Sequence, residues 1–145
     1  MMNYTNLLSQ AIDFATNAHK TQQDKNHEDY ITHPLRVMDK METTKEKIVA
    51  VLHDVLEDCP GTQKALRELI QDDEIWDALV AITRKEEKKD GKIVREVYKD
   101  YILRVKTNPL ATKVKLADLE DNLSRKGASD SLRKRYEEAV RVLTT

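Results

Sequence analysis

Apolar residues recur three and four positions apart along almost the whole chain, the spacing of one face of a helix. Leu7, Leu8, Ala11, Phe14, Ala15 and Ala18 predict a first helix. Residues 21–30 are polar and aperiodic and read as a loop. His33-Pro34 then opens a second helix with Leu35, Val37, Met38 and Met41, because proline is tolerated in a first helical turn. Thr43 and Glu46 have capping-box spacing ahead of Ile48, Val51, Leu52 and Val55, and Cys59-Pro60-Gly61 stops that third helix. Amphipathic segments follow at 65–70 and 75–82. Residues 84–92 are nearly all charged and read as an exposed, solvated loop. A stripe of Val94, Val97, Tyr98, Tyr101, Ile102 and Val105 predicts the sixth helix. Asn108-Pro109 supplies an N-cap and first-turn proline for the seventh, which carries Leu110, Val114 and Ala117 and ends by Gly127. Leu132, Tyr136, Ala139, Val140 and Leu143 mark the last. With no strand alternation, the expected fold is all-α: one domain over residues 1–145, a bundle of seven or eight helices.

Composition narrows the function classes. The chain has 25 basic and 26 acidic residues, a formal net charge of −1, which argues against a polyanion-binding protein and so against a nucleic-acid partner. Its longest apolar runs, 48–52 and 78–82, are far short of the ~20 residues of a membrane span. The lone Cys59 cannot form an intrachain disulfide, and Met1-Met2-Asn3-Tyr4-Thr5 has neither the basic nor the apolar part of a secretory signal, so a cytoplasmic setting is expected.

The candidate chemistry lies in polar residues set into apolar helices, where burial without a partner costs a few kcal/mol. His53-Asp54 interrupts the third helix directly after Ile48-Val49-Ala50-Val51-Leu52, and one turn on Glu57 and Asp58 repeat the pair, so that His53 is expected above Glu57 and Asp54 above Asp58 on the same side of the helix. Asp118 follows Val114-Lys115-Leu116-Ala117, with Asn122 one turn beyond, and His33 sits beside Pro34. Carboxylates and imidazoles crowded in this way repel or go unpaired unless a cation joins them. His33, His53, Asp54 and Asp118 suit manganese, iron, cobalt or zinc better than calcium, which prefers oxygen alone. His19 reads as a packing or helix-end residue, His27 as a solvent-exposed loop residue and Cys59 as inert.

A lone His, then His-Asp, then a late Asp resembles the HD-domain metal-dependent phosphohydrolases. More narrowly, Tyr30-Ile31-Thr32-His33-Pro34-Leu35, Leu52-His53-Asp54-Val55-Leu56-Glu57-Asp58 and Val114-Lys115-Leu116-Ala117-Asp118-Leu119-Glu120-Asp121-Asn122 resemble the hydrolase domain of the Rel/SpoT alarmone enzymes and their small stand-alone relatives. The resemblance implies an all-α HD fold, a bound manganese ion, and hydrolysis of the 3′-pyrophosphate of ppGpp or pppGpp. The sequence shows no sign of the synthetase or regulatory regions of long Rel/SpoT proteins, so a hydrolase only is expected. By the same match Glu57 and Asp58 take the places of the catalytic acidic pair, and Asn122 that of a residue near the substrate ribose.

Glu57 or Asp58 is expected to orient or deprotonate the attacking water. Lys25 is expected to meet substrate phosphate, and Tyr98 to wall the pocket against a small nucleotide substrate. One position departs from the family. The loop before the Tyr-x-x-His-Pro motif typically carries an Arg-Lys pair whose arginine packs on guanine, and here it is Asp24-Lys25. The expectation is that Asp24 repels phosphates and offers no stacking plane, although its carboxylate could accept hydrogen bonds from guanine, so that base affinity is weak or altered and Asp24→Arg would lower the Michaelis constant. Hydrolysis of another nucleotide or phosphate ester, and nucleotide binding without turnover, are the alternative functions.

Overall fold

The computed structural model describes residues 3–24 and 26–145. Among them nine helices and one hairpin follow in the order α1 (Tyr4–His19), α2 (Thr32–Asp39), α3 (Thr44–Leu52), α4 (Val55–Asp58), α5 (Gln63–Leu69), α6 (Asp73–Ile82), β1 (Glu86–Lys89), β2 (Lys92–Arg95), α7 (Tyr98–Lys106), α8 (Pro109–Ser124) and α9 (Asp130–Thr144). The architecture is helical, as the periodicity predicts. The count reaches nine because the third predicted helix divides into α3 and α4 at His53-Asp54.

Side chains fix the helix starts. Thr43 and Glu46 form both halves of the predicted capping box on α3. Asn108 accepts from the Ala111 amide at the start of α8, with Pro109 in the first turn, and Asp72 and Ser129 cap α6 and α9 in the same way. At the core is α3, where Ile48, Val49, Ala50, Val51 and Leu52 are all fully buried, so this helix is apolar all round rather than on one stripe. It packs against α1, α2, α6 and α8, and α8 in turn meets α2, α6, α7 and α9. The ends of α3 and α8 therefore come together at the middle of the molecule, with α2 beside them.

The hairpin corrects the reading of residues 84–92 as a loop, and of the chain as free of strands. Glu86–Lys89 pairs antiparallel with Lys92–Arg95, and Lys89 opposite Lys92 leaves a two-residue turn of Asp90 and Gly91. Both have positive φ, 51° and 77°, the conformation that favours Asp-Gly in tight hairpins. All eight strand residues are exposed, so burial imposes no apolar alternation. The correction extends to α7, which begins at Tyr98; Val94 lies in β2 and Val97 is the N-cap. Arg104 anchors the base of the hairpin. Its guanidinium caps the carbonyls of Ala81 and Thr83 at the end of α6 and pairs with Glu96 at 2.8 Å. No helix among the described residues is long and apolar enough to cross a membrane.

Candidate metal centre

The break between α3 and α4 makes the site. On a continuous helix His53 and Asp54 would diverge, since neighbouring positions do not face each other. Instead His53 Nδ1 donates to the Ala50 carbonyl at 2.5 Å, while the His53 backbone amide reaches the same oxygen only at 3.4 Å. A side-chain donor thus competes with the helix ladder and α3 ends. With the chain turned, His53 Nε2 lies 3.1 Å from Asp54 Oδ2. The break corrects the expectation of one unbroken helix through His53 and Glu57, while Asp54 keeps its place one turn above Asp58, whose amide donates to the Asp54 carbonyl at 2.9 Å.

From α2, His33 brings Nε2 to 2.8 Å from Asp118 Oδ1 on α8, and to 3.7 Å from Asp54 Oδ2. One ligand atom from each of His33, His53, Asp54 and Asp118 lies within 4.8 Å of the others, a buried group that could hold a divalent metal. Both imidazoles turn Nε2 inward because Nδ1 is engaged, on His53 by the Ala50 carbonyl and on His33 by Asp121 Oδ2 at 2.6 Å. Asp121 is itself gripped by Arg36 through two bonds of 2.9 and 3.0 Å. Carboxylate support of this kind sets the tautomer and orientation of a ligating histidine.

Electrostatics point the same way. Burial would lower the His33 pKa, but the hydrogen bonds that its ring donates to Asp118 and Asp121 outweigh it and push it up to about 9. Burial likewise opposes protonation of His53, and the charges of Asp54 and Asp118 overcome it. Asp54 falls to about 2, burial being outweighed chiefly by His53. The cluster therefore draws positive charge into a place where burial alone would forbid it, which suits a divalent ion. Lys115 shares the task, its Nζ 2.8 Å from Asp118 Oδ2, and Tyr30 donates to Asp54 Oδ2 at 2.7 Å.

The cluster faces a cavity of about 720 Å³ that Glu57, Asp58, Tyr98 and Asn122 also line. Glu57 Oε1 accepts the Arg84 amide at 3.0 Å, and Arg95 lies 3.6 Å from its other oxygen. Burial raises the Asp58 carboxyl to about 7, with the charges of Asp54 and Glu57 adding to it. Burial is also the main cause that raises Glu57, more mildly. Asn122 donates to Asp118 Oδ1 at 3.3 Å, and Lys25 lies outside the described residues.

Asp24 does not do what the sequence suggests. Its Oδ1 accepts the backbone amides of Asn26 and Glu28 at 2.8 and 3.1 Å, and its Oδ2 pairs with Arg125 at 2.7 Å. A carboxylate committed to closing its own loop and to fastening it to the end of α8 has no free edge for a base. His19 is a buried packing residue, as expected. It bonds Gln22, which in turn donates to the Asp58 carbonyl at 3.1 Å and so props the end of α4.

Several residues carry no role in the sequence reading. Asp121, three positions after Asp118, shares its buried face of α8, and that spacing is the signal that was there to use. Tyr30 and Lys115 lie inside the quoted motifs. Arg36, Arg84, Arg95, Arg125 and Arg135 reach the site or its cavity only through the fold.

No family model matches the chain. The guanosine-3′,5′-bis(diphosphate) 3′-pyrophosphohydrolase of Aquifex aeolicus (strain VF5) is 30% identical over 120 residues, 80% of this chain, and the chain spans 17% of that relative's length. A solved structure of a metazoan orthologue of SpoT, a protein that hydrolyses ppGpp and plays a role in starvation responses, matches with a TM-score of 0.72 at 20% identity. The match covers 94% of this chain and 83% of that one. The chain thus has the fold of that orthologue, and in sequence it resembles the HD-domain hydrolases of the Rel/SpoT kind.

Proposed function

We propose that this chain is a manganese-dependent pyrophosphohydrolase that removes the 3′-diphosphate of ppGpp-like nucleotides, acting in the cytoplasm. The observation that carries the reading is the convergence of His33, His53, Asp54 and Asp118 on one point of a cavity that also presents Glu57 and Asp58. The activity borne by the name of the Aquifex relative, and that of the metazoan orthologue, support the choice of substrate.

The four residues would hold the ion, oriented by Asp121, the Ala50 carbonyl and Tyr30. A divalent ion there supplies polarisation of a phosphoryl oxygen and acidification of a water. Glu57 and Asp58 sit at the cavity wall next to the cluster. Asp58, which titrates near neutrality, is suited to take the proton of the attacking water, and Glu57 to align that water. Water attacks the phosphorus joined to the ribose 3′ oxygen. The bond between them breaks, the 3′ oxygen takes up a proton, and GDP and pyrophosphate are released. Lys115, beside Asp118 and facing the cavity, offsets charge on the phosphoryl oxygens. Asn122 stands at the same wall to meet the ribose.

The test is incubation of manganese-loaded protein with ppGpp, NADPH, and nucleoside mono- and triphosphates, with products separated by chromatography. GDP and pyrophosphate from ppGpp are expected. Turnover of another compound with none of ppGpp would replace this substrate assignment.

A further inference from the structure

The grip on Glu57 extends beyond the cavity wall. Its Oε1 accepts the Arg84 amide at 3.0 Å, and that amide belongs to the Thr83–Arg84 peptide, just past the end of α6. The peptide is trans and planar, so its carbonyl oxygen and its N–H point in opposite directions within one plane. Holding the oxygen therefore sets the line of the N–H. The Thr83 oxygen is held, because Arg104 Nη2 donates to it at 2.8 Å. One rigid unit thus runs from the Arg104 guanidinium, through the Thr83–Arg84 peptide, to the Glu57 carboxylate. A charged donor on the oxygen also polarises the peptide and strengthens its N–H as a donor.

Arg104 is itself firmly seated on α7. Nε and Nη2 reach the two carboxylate oxygens of Glu96 at 3.1 and 2.8 Å, and Nη1 donates to the Ala81 carbonyl at 3.0 Å. The donors of a guanidinium lie in one plane, and here that plane joins the last turn of α6 to the residue after β2. Arg84 is tied to the same residue, its Nε donating to the Glu96 carbonyl at 2.7 Å. Helix capping accounts for the bond to Ala81, whose carbonyl is among those that the end of a helix leaves unpaired. It does not account for the bond to Thr83, the C-cap residue. Tyr101, one turn before Arg104, donates to the Ile82 carbonyl, so the end of α6 does not depend on Arg104 alone.

We propose that Arg104 is a positioning residue for Glu57. It acts through the Thr83–Arg84 peptide, fixing Oε1 so that the rest of the carboxylate is presented to the attacking water. Arg104 does not line the cavity, so its effect falls on turnover and not on affinity. The inference rests on the water-aligning role given to Glu57, and one arm of its test needs no substrate.

The kinetic arm is a double-mutant cycle of Arg104→Gln and Glu57→Ala on ppGpp. With Glu57 present, Arg104→Gln should lower kcat about tenfold, the scale of losing a charge-assisted hydrogen bond, with KM within about twofold. In the Glu57→Ala background the same change should cost less than about twofold, because the group it positions is gone. Equal losses in both backgrounds, or a raised KM with kcat unchanged, would overturn the proposal. The direct arm follows solvent exchange of the Arg84 amide in metal-free protein by nuclear magnetic resonance. Exchange about tenfold faster is expected in both Arg104→Gln and Glu57→Ala, with the amides of α3 unchanged as the sign of an intact fold. Should Arg104→Gln fold poorly, Arg104→Lys repeats both arms; it keeps the charge without the planar fork, and smaller changes in the same directions are expected. Unchanged exchange at Arg84 would overturn the proposal even if the protein hydrolyses no nucleotide. Faster exchange in these variants, with no ppGpp turnover by wild type, would sustain the positioning of Glu57 and refute the hydrolase reading instead.

Discussion

The two ends of the cavity are built differently. At the metal centre, His33 from α2, His53 from the α3–α4 junction and Asp118 from α8 are buried, and Asp54 is partly so. Each is fixed by another protein group: His33 by Asp121, Asp121 by Arg36, His53 by the Ala50 carbonyl, and Asp54 by Tyr30. At the rim, long cationic side chains reach in from the residues around the hairpin, from the C-cap of α8 and from α9, and several are exposed. Fixing the ligand atoms before the ion arrives removes reorganisation at the moment of reaction, which is where electrostatic catalysis gains most. The rim has only to attract and orient a charged molecule, and flexible, partly solvated arginines suffice for that.

If this division is right, substitutions at the buried end should abolish chemistry, and those at the rim should change affinity. The largest effect is expected at Asp54. Asp54→Ala removes a charged ligand, so metal content and turnover should fall together, to background, in paired elemental analysis and rate assays. Retained metal with lost turnover would make Asp54 a catalytic group rather than a ligand. Next comes Glu57→Gln, which keeps size and helix propensity but removes a basic carboxylate. Turnover should drop about a hundredfold with the metal retained. Wild-type rates in both Glu57→Gln and Asp58→Asn would make the acidic pair structural.

Asp121→Asn should act less strongly and on the metal rather than on chemistry. It weakens the support of His33, and losses of about 10- to 100-fold in metal affinity are usual for such partners. A metal titration followed by calorimetry measures this directly. An unchanged affinity would show that Pro34 and the packing of α2 are enough to aim His33. Smaller again is the effect of Asp24→Arg. Because Asp24 fastens its loop to Arg125, the substitution sets two like charges together and should raise the Michaelis constant a few-fold. A lower constant would restore the expectation drawn from sequence, of an arginine stacking on the base.

Asp58 offers a test through stability. Its carboxyl is raised to about 7 in the folded protein, so the fold binds this proton more tightly than the unfolded chain does. The resulting stabilisation is full at pH values below the ordinary carboxylate range. It is lost as pH rises toward about 7 and is flat above that. In metal-free protein, denaturant titrations of wild type should show this decline, and Asp58→Asn should flatten it. Parallel pH profiles for the two proteins would contradict the shift.

The same division explains what could be read from sequence. Metal-centre residues are polar groups on apolar helices, so His33, His53-Asp54 and Asp118 stand out against their neighbours. The helix break at His53 could not be read, because neither glycine nor proline marks it and its cause is a side-chain bond to Ala50. The hairpin was hidden for a different reason. With both faces exposed, it needs no alternation of apolar residues, and only Asp90-Gly91 announces it. The rim was the least legible part. Arg84 looks like one more member of a charge run, and the pairing of Asp24 with Arg125 joins residues about a hundred positions apart in sequence. The error over Asp24 follows from treating that residue without its partner.

The most direct test of the central claim is a titration of metal-stripped protein with manganese, following ion binding and release of pyrophosphate from ppGpp in the same samples. Binding should saturate at one ion per chain, and activity should rise in proportion to occupancy. Full activity in the stripped protein, or one tightly bound ion with no release of pyrophosphate, would contradict the account.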